Sequence, residues 1–119
     1  MNNIAPVILK TYDPHWPVIF NEEAEKIKMT IGRHILSIDH IGSTSIPGSL
    51  AKPEIDILIG VESLDEAEFC IEPLKNIGYI YFKKFEEIIP ERRYFRKSDG
   101  LTPLYHIHMV EKSSNFWHE

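Results

Sequence analysis

The sequence predicts an α+β fold, a mixed β-sheet with helices packed on one face. Three observations carry this expectation: a segment of helical period after Pro17, two apolar segments joined by a Gly/Ser-rich turn between His40 and Gly60, and a run of alternating segments from Tyr79 to Val110. At 119 residues the chain has the length of one domain, residues 1–119, and no repeat, low-complexity tract or linker divides it. Hydrophobic residues make up 43% and charged residues 26%, an ordinary balance for a globular protein with one modest core.

Element by element, VILK (residues 7–10) is a short edge strand ahead of YDPHWP, whose prolines stop regular structure. Pro17 suits the first turn of a helix, where its missing N–H costs nothing. Phe20, Ala24, Ile27 and Ile31 follow at helical spacing, charged residues cover the remaining surface, and Gly32 or its successors end the helix. ILSIDHI enters the central turn as a strand and PEIDILIGV leaves it as another. Ser63 and Glu66 form a capping-box pattern that opens a helix through Leu64, Ala67 and Ile71. Pro73 lies too deep to be a first-turn residue, so a kink or restart is expected there, and Gly78 closes the element. YIYFKK, RRYFRK and LYHIHMV then read as strands, with SDGLTP as the turn between the last two.

Charge and cysteine usage narrow the function classes. A formal net charge of −5 leaves no broad electrostatic footprint for duplex nucleic acid, although a local basic patch can bind a phosphorylated small molecule. Cys70 is the only cysteine, which rules out an intrachain disulfide and a thiolate zinc cluster. The start MNNIAPVILK has no cationic segment ahead of an apolar stretch, and no apolar run approaches membrane-spanning length. The expectation is a cytoplasmic protein that engages no membrane.

The chemistry concentrates between His40 and Gly60. Alternation along PEIDILIGV sends Ile55, Ile57, Ile59 and Val61 to one face and Glu54, Asp56 and Leu58 to the other. At a rise of roughly 3.3 Å per residue, the two carboxylates stand about 7 Å apart at the backbone and can converge on a hard cation such as magnesium or manganese. Upstream, Gly42 lets the backbone approach a ligand, and Ser43, Thr44 and Ser45 add hydroxyls to a turn suited to anions. Lys52 adds a positive charge ahead of the acidic strand. Together these describe a phosphate cradle beside a metal-holding strand. The plainer alternative is a polar turn and a solvated strand face.

HIGSTSIPGSLAKPEIDILIGV resembles the signature of the GrpB family, bacterial proteins of the nucleotidyltransferase superfamily fold. YDPHWPVIFNEEAEKI, LKNIGYIY, RRYFRK and LYHIHMV agree in order, so the resemblance covers nearly the whole chain. It implies a nucleotidyltransferase-like mixed sheet with a Gly-Ser turn and a strand carrying two acidic residues around one apolar position. Gly42 and Ser43 match the turn and Asp56 matches an acidic position. With Asp56 as the second acid, Glu54 is the first; with Asp56 as the first, Leu58 breaks the pair. The third carboxylate of such sites has no counterpart on the later strand, which offers His106 and His108 instead. Relatives also usually continue into a helical C-terminal segment where this chain ends at SSNFWHE. A sheet surface left without that helix can be covered by forming a homodimer.

His106 and His108 share one strand face opposite Tyr105, Ile107 and Met109. They suit a transition metal, phosphate donation, general acid–base work or a structural role. The acidic pair and the histidine pair are expected to project from the same side of one sheet. RRYFRK divides into Arg92, Tyr94 and Arg96 against Arg93, Phe95 and Lys97. Because Phe95 marks its side as partly buried, Arg93 and Lys97 are expected nearer the cleft. His40 can orient the turn, Trp16 is a packing residue, and Cys70 is a small buried one.

These features point first to metal-dependent transfer of a nucleotidyl group from a nucleoside triphosphate to an acceptor. In that reading Asp56, Glu54, His106 and His108 are catalytic, Asp56 and Glu54 hold the metal, and Gly42 to Ser45 with Lys52, Arg93 and Lys97 hold the nucleotide. The alternative is a binding module of the same fold that takes a nucleotide or another phosphorylated ligand without turnover.

Overall fold

The computed structural model describes residues 9–98, 100 and 104–113. Strand β1 (Lys10–Thr11) precedes helix α1 (Trp16–Ile31), then come β2 (Ser37–Ile41), β3 (Leu50–Ala51), β4 (Glu54–Val61), α2 (Asp65–Asn76), β5 (Ile80–Tyr81), α3 (Lys84–Ile88), β6 (Arg92–Lys97) and β7 (Leu104–Glu111). Five strands form one mixed sheet in the order β2-β4-β7-β6-β5. Only β4 and β7 run parallel; the other neighbours are antiparallel. The two short strands β1 and β3 pair separately. Among the described residues no helix is long and apolar enough to cross a membrane.

The predicted alternation accounts for the core. Ile55, Ile57, Ile59 and Val61 of β4 and Ile107 and Met109 of β7 are fully buried. They pack in one cluster with Ile27 and Ile31 of α1, Ala67, Cys70 and Leu74 of α2, and Phe95 of β6. Helices α1 and α2 therefore cover a single face of the sheet. Each large apolar side chain moved out of water in this layer contributes about 1.5–3 kcal/mol, which is why the five-stranded sheet stays shut on that side. Helix α1 begins as the sequence predicts, with Pro17 in its first turn and a short 3₁₀ turn, Gly32–His34, after it. Trp16 is buried edge-on against Tyr12, a packing role as expected.

Three local expectations change. Helix α2 runs through Pro73 as one element with no restart there, and Cys70 and Leu74, one turn apart, are both buried against the sheet. The capping box does not close: the Asp65 N–H donates to Ser63 Oγ at 3.2 Å, while Glu66 turns away to His34 at 2.9 Å. YIYFKK yields strand only at Ile80–Tyr81; its end bends into α3, and Phe82 just ahead of that helix stacks on Phe85 within it at 5.8 Å. RRYFRK is a strand throughout, and LYHIHMV extends by one residue to Glu111. Of VILK, only Leu9 and Lys10 are described, and SDGLTP and the terminal SSNFWHE fall largely outside the described residues.

Candidate functional site

Register on β4 and β7 decides the site. Asp56 pairs with His106 and Leu58 with His108, so in this parallel pair all four side chains project from the same face. That is the face the core does not use. His108 Nε2 lies 3.4 Å from Asp56 Oδ1, and His106 Nε2 lies 3.9 Å from Glu54 Oε1. The composite of two carboxylates and two imidazoles expected from the sequence is therefore present. Asp39, opposite Leu58 on β2, shares this face on the other side of β4 and went unnoticed in the sequence.

The turn stands directly against this pair. Gly42 has φ +79°, and a Cβ there would fall 2.7 Å from Asp56 Oδ2. Only a glycine gives both the left-handed backbone and the space for the carboxylate. Residues Ser43–Ser45 form a 3₁₀ turn. Its hydroxyls do not all face outward, which corrects the expectation for two of them. Thr44 is buried and donates to the Glu54 carbonyl at 2.9 Å, and Ser45 donates to the Gly42 carbonyl at 2.5 Å. Ser43 is the exposed one, and its carbonyl accepts from the Ser49 hydroxyl at 2.5 Å. Since the Thr44 hydroxyl gives its proton to Glu54, it accepts from His40 Nε2 at 3.0 Å. His40, stacked on Phe20 at 4.9 Å, thus ties the turn to α1, and burial lowers its pKa against the opposing pull of Asp56. Lys52 is exposed at the bend leading into β4.

The cations require a second correction. Arg93, Phe95 and Lys97 pair with Met109, Ile107 and Tyr105, which places them on the helix-covered face. Lys97 is buried against Glu23 of α1 at 2.5 Å, and Arg93 pairs with Glu86 of α3 at 2.8 Å. Neither faces the carboxylates of β4. Phe95 does mark its side as buried, but that side is the core. The residues that reach the site are Arg92, Tyr94 and Arg96. Arg92 Nη1 donates to His108 Nδ1 at 3.1 Å. The Tyr94 hydroxyl bonds His106 Nδ1 and receives Arg96 at 3.3 Å. Tyr94 itself is only 5% exposed, enclosed by Phe82 and Phe85 as well as both histidines. The Arg96 guanidinium lies over the Phe82 ring at 4.9 Å. Parity on β6 was the signal for this set: Tyr94 and its neighbours at ±2 match His106 and His108 in register.

His106 is the more shielded of the two histidines. Burial lowers its pKa, Glu54 and Asp56 oppose the shift, and Arg96 and His108 reinforce it. Its Nε2 is a buried nitrogen with no hydrogen-bond partner among the described residues. No three His, Cys, Asp or Glu side chains among the described residues converge closely enough to hold a metal ion alone.

A Gly/Ser turn set against an acidic strand, on the open face of a mixed sheet with helices behind it, defines an α+β protein of nucleotidyltransferase-like type. Comparison with known proteins sharpens this to a family. The family model for GrpB protein matches residues 6–119, and the chain belongs to the GrpB family. It is 37% identical to the glutamate-rich protein GrpB of Alkalihalophilus pseudofirmus, over 98% of this chain and 68% of that protein. It is 43% identical to the UPF0157 protein YqkA of Bacillus subtilis over 87% of this chain, which spans only 29% of that protein. The crystal structure of conserved protein GrpB from Enterococcus faecalis superposes with a TM-score of 0.82 at 33% identity, covering 93% of this chain and 66% of that one. A stretch of 78 residues is also 44% identical to part of a dephospho-CoA kinase from Mycolicibacterium paratuberculosis, 19% of that protein's length.

Proposed function

We propose that the open face of the sheet binds a phosphorylated small molecule, foremost a nucleoside triphosphate, and transfers its nucleotidyl group to an acceptor with the help of magnesium or manganese. One observation carries this reading: the turn at Gly42 comes so close to Asp56 that a single methyl group would collide with the carboxylate. A phosphate lying on the turn is then beside an acidic group able to share a cation with it. The donor set fits such an ion in one form only. Asp56 and Glu54 supply carboxylate oxygens, and ligand phosphates and water supply the rest, since the described residues build no cage of protein ligands. A bound divalent ion neutralises charge on the phosphates and on the leaving group.

The protein's own part is positioning. Gly42 and Ser43 set the phosphates against the strand, Lys52 and the outward guanidinium of Arg96 add positive charge, and His108 holds Asp56 from the neighbouring strand with His106 beside Glu54. A 78-residue part of the chain is similar to part of a protein named dephospho-CoA kinase, which supports a phosphorylated ligand more than any particular transfer. A second reading, a module that binds without turnover, is favoured by the imidazole 3.4 Å from Asp56 and by the lack of a third carboxylate on β6 or β7 beside it.

Incubation with labelled nucleoside triphosphates, magnesium or manganese and a cell extract separates the two. Label transfer that Asp56→Asn abolishes supports the enzyme, and saturable binding without transfer supports the module. Absence of both removes the nucleotide from this face. Glu54→Gln is expected to weaken magnesium-dependent binding only in part.

A further inference from the structure

The histidines were open to opposite uses, as bases or as donors, and their partners decide between them. An arginine guanidinium has donors and no acceptor. Arg92 Nη1, 3.1 Å from His108 Nδ1, therefore obliges that nitrogen to accept. The proton of a neutral His108 then sits on Nε2, the nitrogen 3.4 Å from Asp56 Oδ1. The same logic runs through a relay on the neighbouring residue. Arg96 donates through Nε at 3.4 Å and Nη2 at 3.3 Å to the Tyr94 oxygen, leaving the Tyr94 hydroxyl to donate its own proton. His106 Nδ1 is the acceptor it meets. A phenol 95% removed from solvent has a strong reason to make that bond, because a buried donor left unspent loses its water partner without replacement. His106 thus also carries its proton on Nε2, facing Glu54.

We infer that Arg92 and the Arg96–Tyr94 pair are positioning residues that hold His108 and His106 in the Nε2–H tautomer, so that both imidazoles serve the open face as neutral hydrogen-bond donors and not as bases. The functional consequence rests on the phosphate-ligand reading above; the tautomers do not. Both nitrogens of His108 and Nδ1 of His106 are occupied, and His106 Nε2, the buried unpartnered atom, is a donor. Among these side chains the acceptors left for a ligand's proton are the carboxylates of Asp56 and Glu54, because the Nδ1 atoms and the Tyr94 oxygen are already engaged. A proton leaving a ligand on this face goes to a carboxylate, and each imidazole turns its N–H toward one of those carboxylates, His108 toward Asp56 and His106 toward Glu54. Burial acts in the same sense on His106 by disfavouring its charged form.

Long-range ¹H–¹⁵N correlation spectra of the histidine rings test this directly, at mildly alkaline pH and without any ligand. His106 and His108 should each show a protonated Nε2 and an unprotonated Nδ1. Tyr94→Phe should move His106 to a mixture of tautomers and leave His108 unchanged, while Arg92→Met should do the reverse. Where Tyr94→Phe fails to fold, Arg96→Met gives the same reading, because it frees the Tyr94 hydroxyl to accept from Nδ1–H. A protonated Nδ1 on either ring of the unaltered protein overturns the assignment. So does a His106 pattern unmoved by both Tyr94→Phe and Arg96→Met. Titration with magnesium ATP keeps the two ideas apart. Movement of the His106 and His108 signals on addition supports both, whereas unmoved signals with the expected tautomers sink the nucleotide reading and leave the assignment standing.

Discussion

The two faces of β6 carry nearly the same residue types and do different work. On the covered face, Lys97 meets Glu23 of α1, whose carboxylate also accepts from the Tyr79 hydroxyl at 2.8 Å. All three are more than 90% buried, so the charges satisfy one another inside the core. On the open face, Arg92 and Arg96 reach imidazoles and a phenol that back two partly exposed carboxylates. A shift of one residue along the strand separates a structural ion pair from a candidate ligand site. Charge type alone says nothing about role here; the face on which a residue sits decides it.

Breaking the covered side should give the largest effect. Lys97→Met leaves Glu23 without its buried counter-charge, and we expect a loss of about 3–5 kcal/mol in denaturant unfolding. Adding Glu23→Gln should recover much of that loss, because the surviving groups are then neutral. A Lys97→Met protein that unfolds at the original midpoint would show that the pair is not a structural one.

The turn comes next. Gly42→Ala forces a side chain into φ +79° and against Asp56 Oδ2, which should cost about 1–3 kcal/mol in stability. The displaced carboxylate should also lose any magnesium-dependent phosphate binding. Gly48, at φ +86° but with nothing within 4 Å of its would-be Cβ, is the control: Gly48→Ala should strain the chain and spare binding. The arginines give a smaller and more discriminating contrast. Arg96→Met should weaken nucleotide binding about tenfold, the size of one charge-assisted hydrogen bond, while Arg93→Met should leave it unchanged. Equal effects from both in a binding titration would contradict the division of β6 into two faces.

Much of this was legible in the chain. The alternation of EIDILIGV and LYHIHMV separates core isoleucines from carboxylates and imidazoles, and both strands place them as that pattern requires. The limit came where a residue's role depends on a partner distant in sequence. Lys97 and Arg93 look like free cations until α1 and α3 bring Glu23 and Glu86 to them. Thr44 looks like a ligand donor until folding buries it against the Glu54 carbonyl. Helix α3 was hidden because Tyr81 and Phe82 favour strand locally; the spacing of Phe82 and Phe85, three apart, was the available sign. The pairing of β1 with β3 has no local signature, since two residues fix neither register nor period.

The smallest expected effect is a pH dependence that ties the open face to stability. Burial sets the folded pKa of His106 below the usual histidine value of about 6.5, and burial does the same for His40. The unfolded chain therefore binds more protons than the folded one over the interval between the two values. Stability then falls as pH drops through about 6.5 towards the lowered folded pKa, and levels off below it. Above that window both states hold neutral imidazoles and the effect vanishes. For His106 the groups in play are Glu54 and Asp56, which raise the folded pKa, and Arg96 and His108, which lower it; burial exceeds the carboxylates. Thermal unfolding across this interval should show a shallow decline on acidification that His106→Gln and His40→Gln each flatten. A slope of the opposite sign at His106, with stability rising as the pH falls, would mean that Glu54 and Asp56 outweigh burial and that its ring is charged. The open face would then hold an imidazolium against two carboxylates, and its resemblance to the charged pair under the helices would be closer than the structure indicates.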